Sequence, residues 1–186
     1  MNSIGIIVNP MSGRDCRRLT ARADTVSHEN KRNQISRIVV GAVAAGCTQI
    51  MVPWEPRRLA IGAVEHMNIG AEIEVIKTPI THSAEDTRAC VQEMRDRGCE
   101  LLIVLGGDGT SRIVTKAWPE ALMMPLSTGT NNVFPLWIEP TIAGMAAGLV
   151  ASGQVSSEQA AQQAKMIEID IDGEESDLAL VDALFL

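Results

Sequence analysis

The four cysteines, Cys16, Cys47, Cys90 and Cys99, form no C-x-x-C pair, and none of the three histidines lies at metal-ligand spacing from them. That excludes a zinc ribbon and a dithiol redox motif and leaves buried, reduced thiols as the reading. No basic segment precedes a long apolar one, so no signal peptide is visible. The longest apolar run, Ile38–Cys47, is too short to cross a bilayer. Cations are scarce as well: 16 Lys and Arg stand against 23 Asp and Glu, a formal net charge of -7. A general nucleic-acid surface or an anionic-membrane patch needs clustered cations and is not expected. A local phosphate site needs few and stays open. No lysine follows a glycine, which removes a Walker P-loop, and no G-x-G-x-x-G follows the first strand, which weighs against a dinucleotide-binding oxidoreductase. Repeats and low-complexity tracts are absent. The expectation is a cytoplasmic chain with no nucleic-acid and no membrane partner.

What is present is apolar and periodic. Hydrophobic residues make up 46% of the 186-residue chain, enough for a sizeable core. Ile4–Val8, Gln49–Val52, Glu72–Ile76, Leu101–Leu105 and Leu122–Leu126 read as strands. Helical faces lie between them: Ile35 to Val43 with Gly46 as the stop, and Leu59 to Met67. A third, capped by Ser83 with Asp86 at the capping-box position, closes at Gly98, and a fourth spans Ser111–Trp118. Strands alternating with helices imply a parallel sheet covered on both faces. Residues 1–140 are expected to form this α/β domain.

Beyond Pro140 the texture changes. Ile142–Val150 is a small-residue helix and Ser156–Ala164 a polar one. Met166–Ile171, the turn Asp172-Gly173 and a strand-like Leu178–Leu186 read as an antiparallel start to something β-rich. Residues 141–186 are therefore expected to be a helical connection and the first strands of a second domain. An apolar end at Ala183-Leu-Phe-Leu186 reads as the middle of a longer protein. A chain of this length alone is expected to be inactive and to associate with a second copy through its tail.

Chemistry concentrates in three loops that each follow a strand. Leu101–Leu105 runs into Gly106-Gly-Asp-Gly-Thr110. Glycines there let a ligand approach the main chain, and successive N–H groups at a helix start make an anion nest. Asp108, set inside it, suits a metal contact or a base for an incoming hydroxyl; the bland alternative is a helix cap. The other two loops are Asn9-Pro-Met-Ser-Gly13 and Ser127-Thr-Gly-Thr-Asn-Asn-Val-Phe-Pro135. Ligands of parallel sheets bind beyond the carboxyl ends of strands, so Asn9, Asp108 and Thr130 are expected at one edge. Arg14 and Arg112 lie beside two of the loops and are candidate phosphate contacts, against the alternative of solvated helix residues. His82 reads as a surface residue next to the Ser83 cap, and Trp54 and Trp118 as core or rim packing.

In that order the loops resemble those of the ATP-NAD kinase-like and diacylglycerol kinase-like superfamily. Within it, the stretches Ile4–Asp15 and Gly129–Pro135 look most like the ATP-NAD kinase-like proteins encoded with acetoin-catabolism genes. The resemblance implies the α/β fold of a NAD kinase/diacylglycerol kinase-like N-terminal domain, with a β-rich second domain completing the cleft. It implies ATP and Mg²⁺ as cofactors and transfer of phosphate to a hydroxyl of a small-molecule acceptor, NAD or a related metabolite. By motif match Asp108 is the catalytic or metal-linked carboxylate. Gly106, Gly107, Gly109 and Thr110 would cradle phosphates; Asn9, Ser12, Thr130 and Asn132 would border the nucleotide. Lipid-kinase loops carry Asp where this chain has Val133. Two alternatives remain beside the small-molecule kinase: a lipid kinase, and a catalytically silent nucleotide-binding regulator.

Overall fold

The computed structural model describes residues 2–14, 25–173 and 176–184. Cys16, and Phe185 and Leu186 of the strand-like tail, lie outside the described residues. The elements run β1 (Ser3–Val8), α1 (His28–Ala44), β2 (Gln49–Pro53), α2 (Leu59–Val64), β3 (Glu72–Ile76), α3 (Ala84–Asp96), β4 (Leu101–Gly106), α4 (Asp108–Ala117), β5 (Met123–Ser127), α5 (Pro140–Ala151), α6 (Ser157–Ala160), β6 (Ile167–Ile169) and β7 (Asp177–Ala179).

The first five strands form one parallel sheet in the order β3-β2-β1-β4-β5. β1 and β4 are its centre, and every residue of both is buried. Their unbroken apolar sequences follow from this, because a central parallel strand is covered on both faces. Alternate side chains serve the two faces. Ile4, Ile6, Val8, Leu101, Ile103 and Leu105 join the core under α1, α2 and α5. Ile7, Leu102 and Val104 join the smaller core under α3 and α4. That second core encloses Cys90 and Cys99, and burial pushes both thiols up to about 12. Free, reduced Cys47, Cys90 and Cys99 agree with the sequence reading.

α5 packs face to face on α1, with Ala143, Ala147 and Ala151 in the main core. The contact is backbone on backbone. A Cβ at Gly144 would meet the Ile38 carbonyl carbon at 2.7 Å and its Cα at 2.9 Å. The small residues of this helix thus permit a close helix crossing that larger ones would prevent. The helix that opens the second segment is in this way part of the core of the first.

Three expectations about the elements change. α1 starts at His28, about two turns before its apolar face, because Ser27 caps it by accepting from Asn30 N. The polar helix expected over Ser156–Ala164 is helical only at Ser157–Ala160; it has no buried residue, and a short helix without a packed face is not stable. Among the described residues, the strand expected over Leu178–Leu186 pairs at Asp177–Ala179 alone, since its partner β6 has three residues. This small antiparallel ribbon is tied to α4: Arg112 and Lys116 both hold the Asp177 carboxylate, and Arg112 Nε donates to Leu178 O at 2.6 Å. Leu180 is buried, while Leu184 is exposed. Among the described residues no helix is long and apolar enough to cross a membrane.

Candidate nucleotide cleft

Strand order reverses at β1: the chain leaves it toward β2 and β3 and returns on its other side as β4 and β5. At such a switch point the loops after neighbouring strands part and leave a crevice. Here a cleft of about 900 Å³ opens there, and all three glycine- and asparagine-rich loops line it. Asn9, Asp108 and Thr130 share one edge, as expected.

The loops are bonded to one another. Asn9 Nδ2 donates to Thr110 Oγ1 at 2.9 Å, joining the first loop to the second. Asn9 Oδ1 accepts from Met11 N at 2.8 Å, which fixes its amide orientation. Ser12 Oγ donates to Asn9 O at 3.0 Å and lies 2.8 Å from Thr128 Oγ1. Its single proton being engaged, it accepts from Thr128, which links the first loop to the third. The third loop leaves β5 and returns to it: Ser127 N donates to Leu136 O and Leu136 N to Pro125 O. Within it Asn132 Nδ2 donates to Ser127 Oγ at 2.8 Å, and Asn132 Oδ1 lies over Gly107 and Gly129, where a Cβ on either would meet it at 2.7 Å.

α4 begins at Asp108, three residues before its expected start, with Gly107 at the cap position and no side chain capping it. Thr110 N and Ser111 N donate to Gly107 O, at 3.0 and 3.1 Å, and no side chain caps the turn; an uncapped helix start at a cleft is an arrangement that receives anions. Asp108 does not point away from this region idly. Its carboxylate accepts from Val133 N at 3.1 Å and Phe134 N at 2.8 Å, so it clamps the third loop against the glycine loop. Thr130 is buried, and its Oγ1 has no hydrogen-bond partner. Thr130 lines the cleft, and a buried hydroxyl without a partner just beneath its wall calls for a polar partner there.

Two cationic expectations shift. Arg112 does not reach the cleft; its guanidinium faces Asp177 on the ribbon, because α4 turns that side of the helix outward. Arg14 bonds His28, with 2.7 Å between Nη1 and Nε2; burial, and then the charge of Arg14, lower the His28 pKa. Arg57, on the β2–α2 loop, lines the cleft instead, beside Trp54 and Ile80. Lys31 was also not singled out by its sequence. It is fully buried, and its ammonium donates to Asn9 O, Pro10 O and Ser12 O at 2.7, 3.1 and 2.8 Å. His82 lies exposed at the rim, Trp54 partly exposed, and Trp118 packs against the smaller core.

The donor set bears on a metal. Among the described residues no group of three or more His, Cys, Asp or Glu converges. That does not fit a cation caged by protein. It does fit Mg²⁺, which keeps waters and phosphate oxygens and asks for one or two carboxylates, here Asp108.

A family model, the ATP-NAD kinase N-terminal domain, matches residues 4–155. The chain belongs to the ATP-NAD kinase family. The matched stretch contains all of the parallel sheet but Ser3, all three loops and α5, and ends before the ribbon. Acetoin catabolism protein X of Cupriavidus necator is 34% identical over 192 residues, covering 97% of this chain and 54% of that protein. The chain thus spans about half the length of the curated relative it matches. No solved structure matches it significantly.

Proposed function

We propose that this chain is the nucleotide-binding part of an ATP-dependent kinase that transfers phosphate to a hydroxyl of a small metabolite in the cytoplasm. The observation that carries the reading is the convergence of three loops on one crevice at the switch point, with the uncapped start of α4 at its wall. In this reading the Gly107–Thr110 turn receives phosphate on backbone N–H groups. Asn9 and Ser12 fix the wall opposite, and Thr130 and Asn132 close the third side. Mg²⁺, when bound with ATP, supplies charge neutralisation at the phosphates. Phosphoryl transfer asks the protein mainly for such positioning and charge stabilisation. Asp108 holds the third loop closed over that turn and presents the one carboxylate of the glycine loop to metal or acceptor.

Residues 1–140 with α5 would carry the nucleotide, and residues from the ribbon onward would begin the part that receives the acceptor. NAD or a related metabolite is the acceptor class that the family suggests. A place in acetoin breakdown rests on the relative's name alone.

A second reading has one observation in its favour. Asp108 already works as a structural clamp on two backbone N–H groups, so a nucleotide-binding regulator without turnover also accounts for its position. The experiment is ADP release and calorimetric ATP binding by the full-length protein, wild type and Asp108→Asn, with NAD and other hydroxyl acceptors. The kinase reading expects turnover in the wild type, a loss of about 10²–10⁴-fold in the variant, and retained binding. ATP binding with no turnover on any acceptor supports the regulator; no ATP binding overturns both.

A further inference from the structure

We infer that Lys31 is a positioning residue of the nucleotide cleft: its buried ammonium gathers the first loop so that Asn9 and Ser12 meet the second and third loops. The inference rests on the nucleotide reading above, and deepens it.

The geometry is specific. Lys31 is 0% exposed. Its three N–H bonds go to three carbonyls within a single four-residue stretch, those of Asn9, Pro10 and Ser12. With those carbonyls drawn inward, the same residues' side chains face the other loops: Asn9 Nδ2 reaches Thr110 and Ser12 Oγ reaches Thr128. Among the described residues no carboxylate pairs with the ammonium. Arg14 and Arg57 both press on it with like charge. It also stands in the first turn of α1, where the helix dipole disfavours a cation. A buried charge so placed is costly unless its hydrogen bonds are all made. Those bonds tie the start of α1 to the loop that lines the cleft.

Protonation follows from the same surroundings. Burial, then the fields of Arg14 and Arg57, bring the Lys31 pKa down to about 8. The neutral amine has two N–H groups and a lone pair, so one of the three carbonyls loses its donor and faces the lone pair instead. The charged form is therefore the one that orders the loop, and order is lost as pH rises through about 8. Arg14 and Arg57 are the charged groups that face the ammonium. His28, on the same helix, titrates below its usual value. Cys16, outside the described residues, is removed as a source by substitution.

The test is ATP affinity of the full-length protein by calorimetry from pH 7 to 9.5, read together with hydrogen exchange of the Met11–Gly13 amides without nucleotide. Wild type and Cys16→Ser are expected to weaken about tenfold through pH 8, the scale of one lost charged hydrogen bond, with faster loop exchange. Lys31→Arg, charged throughout, is expected to show no step. Lys31→Met, where it folds, is expected to bind at least tenfold more weakly at pH 7 with an unprotected loop. A flat wild-type profile, a step that persists in Lys31→Arg, or a folded Lys31→Met with wild-type loop protection overturns the inference. Loop exchange that follows Lys31 in a protein that binds no ATP would sustain the positioning role and sink the nucleotide reading instead.

Discussion

Gly109→Ala separates what the glycine loop does for the fold from what it does for a ligand. Gly109 is the second residue of α4 and is exposed on the cleft wall. An added Cβ there meets nothing within 4 Å, and its backbone is not in the left-handed region. The methyl therefore costs the empty protein nothing. Helix propensity favours Ala over Gly by about 0.8–1 kcal/mol in a helix interior, and less in a first turn. Stability should stay level or rise by about 0.5 kcal/mol. A phosphate seated on the start of α4 meets the methyl directly and must retreat from at least one N–H. One charged hydrogen bond is worth about 1.5–3 kcal/mol, hence roughly a 10- to 100-fold rise in Kd. Urea unfolding and ATP calorimetry on the same preparation give both numbers. Gly107→Ala is the contrast, since its Cβ would strike Asn132 Oδ1 at 2.7 Å and should cost stability as well. Undiminished ATP affinity in Gly109→Ala would refute the claim that ligand phosphate lies on this turn.

Gly144→Ala should do the reverse, leaving the cleft untouched and pushing α5 off α1, because the new methyl falls on the Ile38 backbone. A loss of about 2 kcal/mol, or a Tm lower by roughly 4–8 °C, is expected by calorimetric melting. Stability should also carry the mark of Lys31. With a folded pKa of about 8 and an unfolded one near 10.5, the unfolded chain binds more protons between those values, so wild-type stability rises with pH there relative to Lys31→Arg. The gain approaches about 3 kcal/mol by pH 10.5 in urea titrations, opposite in sign to the change in nucleotide affinity.

The sheet was legible because its signal is local. Leu101–Leu105 and Ile4–Val8 are apolar on both faces, and only a central parallel strand needs that. The loops were legible as chemistry because glycine, asparagine and threonine cluster nowhere else along the strand ends. The bonds between loops were not. Asp108 reads as a free carboxylate in sequence, and nothing near it announces that Val133 N and Phe134 N will approach it from a different strand. Arg112 has the same difficulty in reverse, since its partner Asp177 is 65 positions away. Lys31 was hidden by its type, as a lysine in a helix is ordinarily solvated. One signal was available: it lies four residues before Ile35 and seven before Ile38, on the face that α1 buries. The ends of α6 and β7 are not legible in the sequence, because local polarity and apolarity do not tell whether a partner is there to pack against.

The position of β1 has a consequence for how the molecule comes into being. β1 is made before the other four strands of its sheet and lies at its centre, so one of its two edges has no partner until Leu101–Gly106 has been synthesised. At ribosomal rates of about 5–20 residues per second that edge waits for roughly 5–20 s. An apolar strand with open backbone groups invites pairing with another chain during that interval. The contact between Asn9 and Thr110 spans 101 positions and the one between Arg37 and Thr141 spans 104. Such distant closures make folding slow, and they make the cleft one of the last features to appear. Nascent chains halted before β4 should for that reason be the aggregating species, and the need for a chaperone should fall once β4 has cleared the ribosome tunnel.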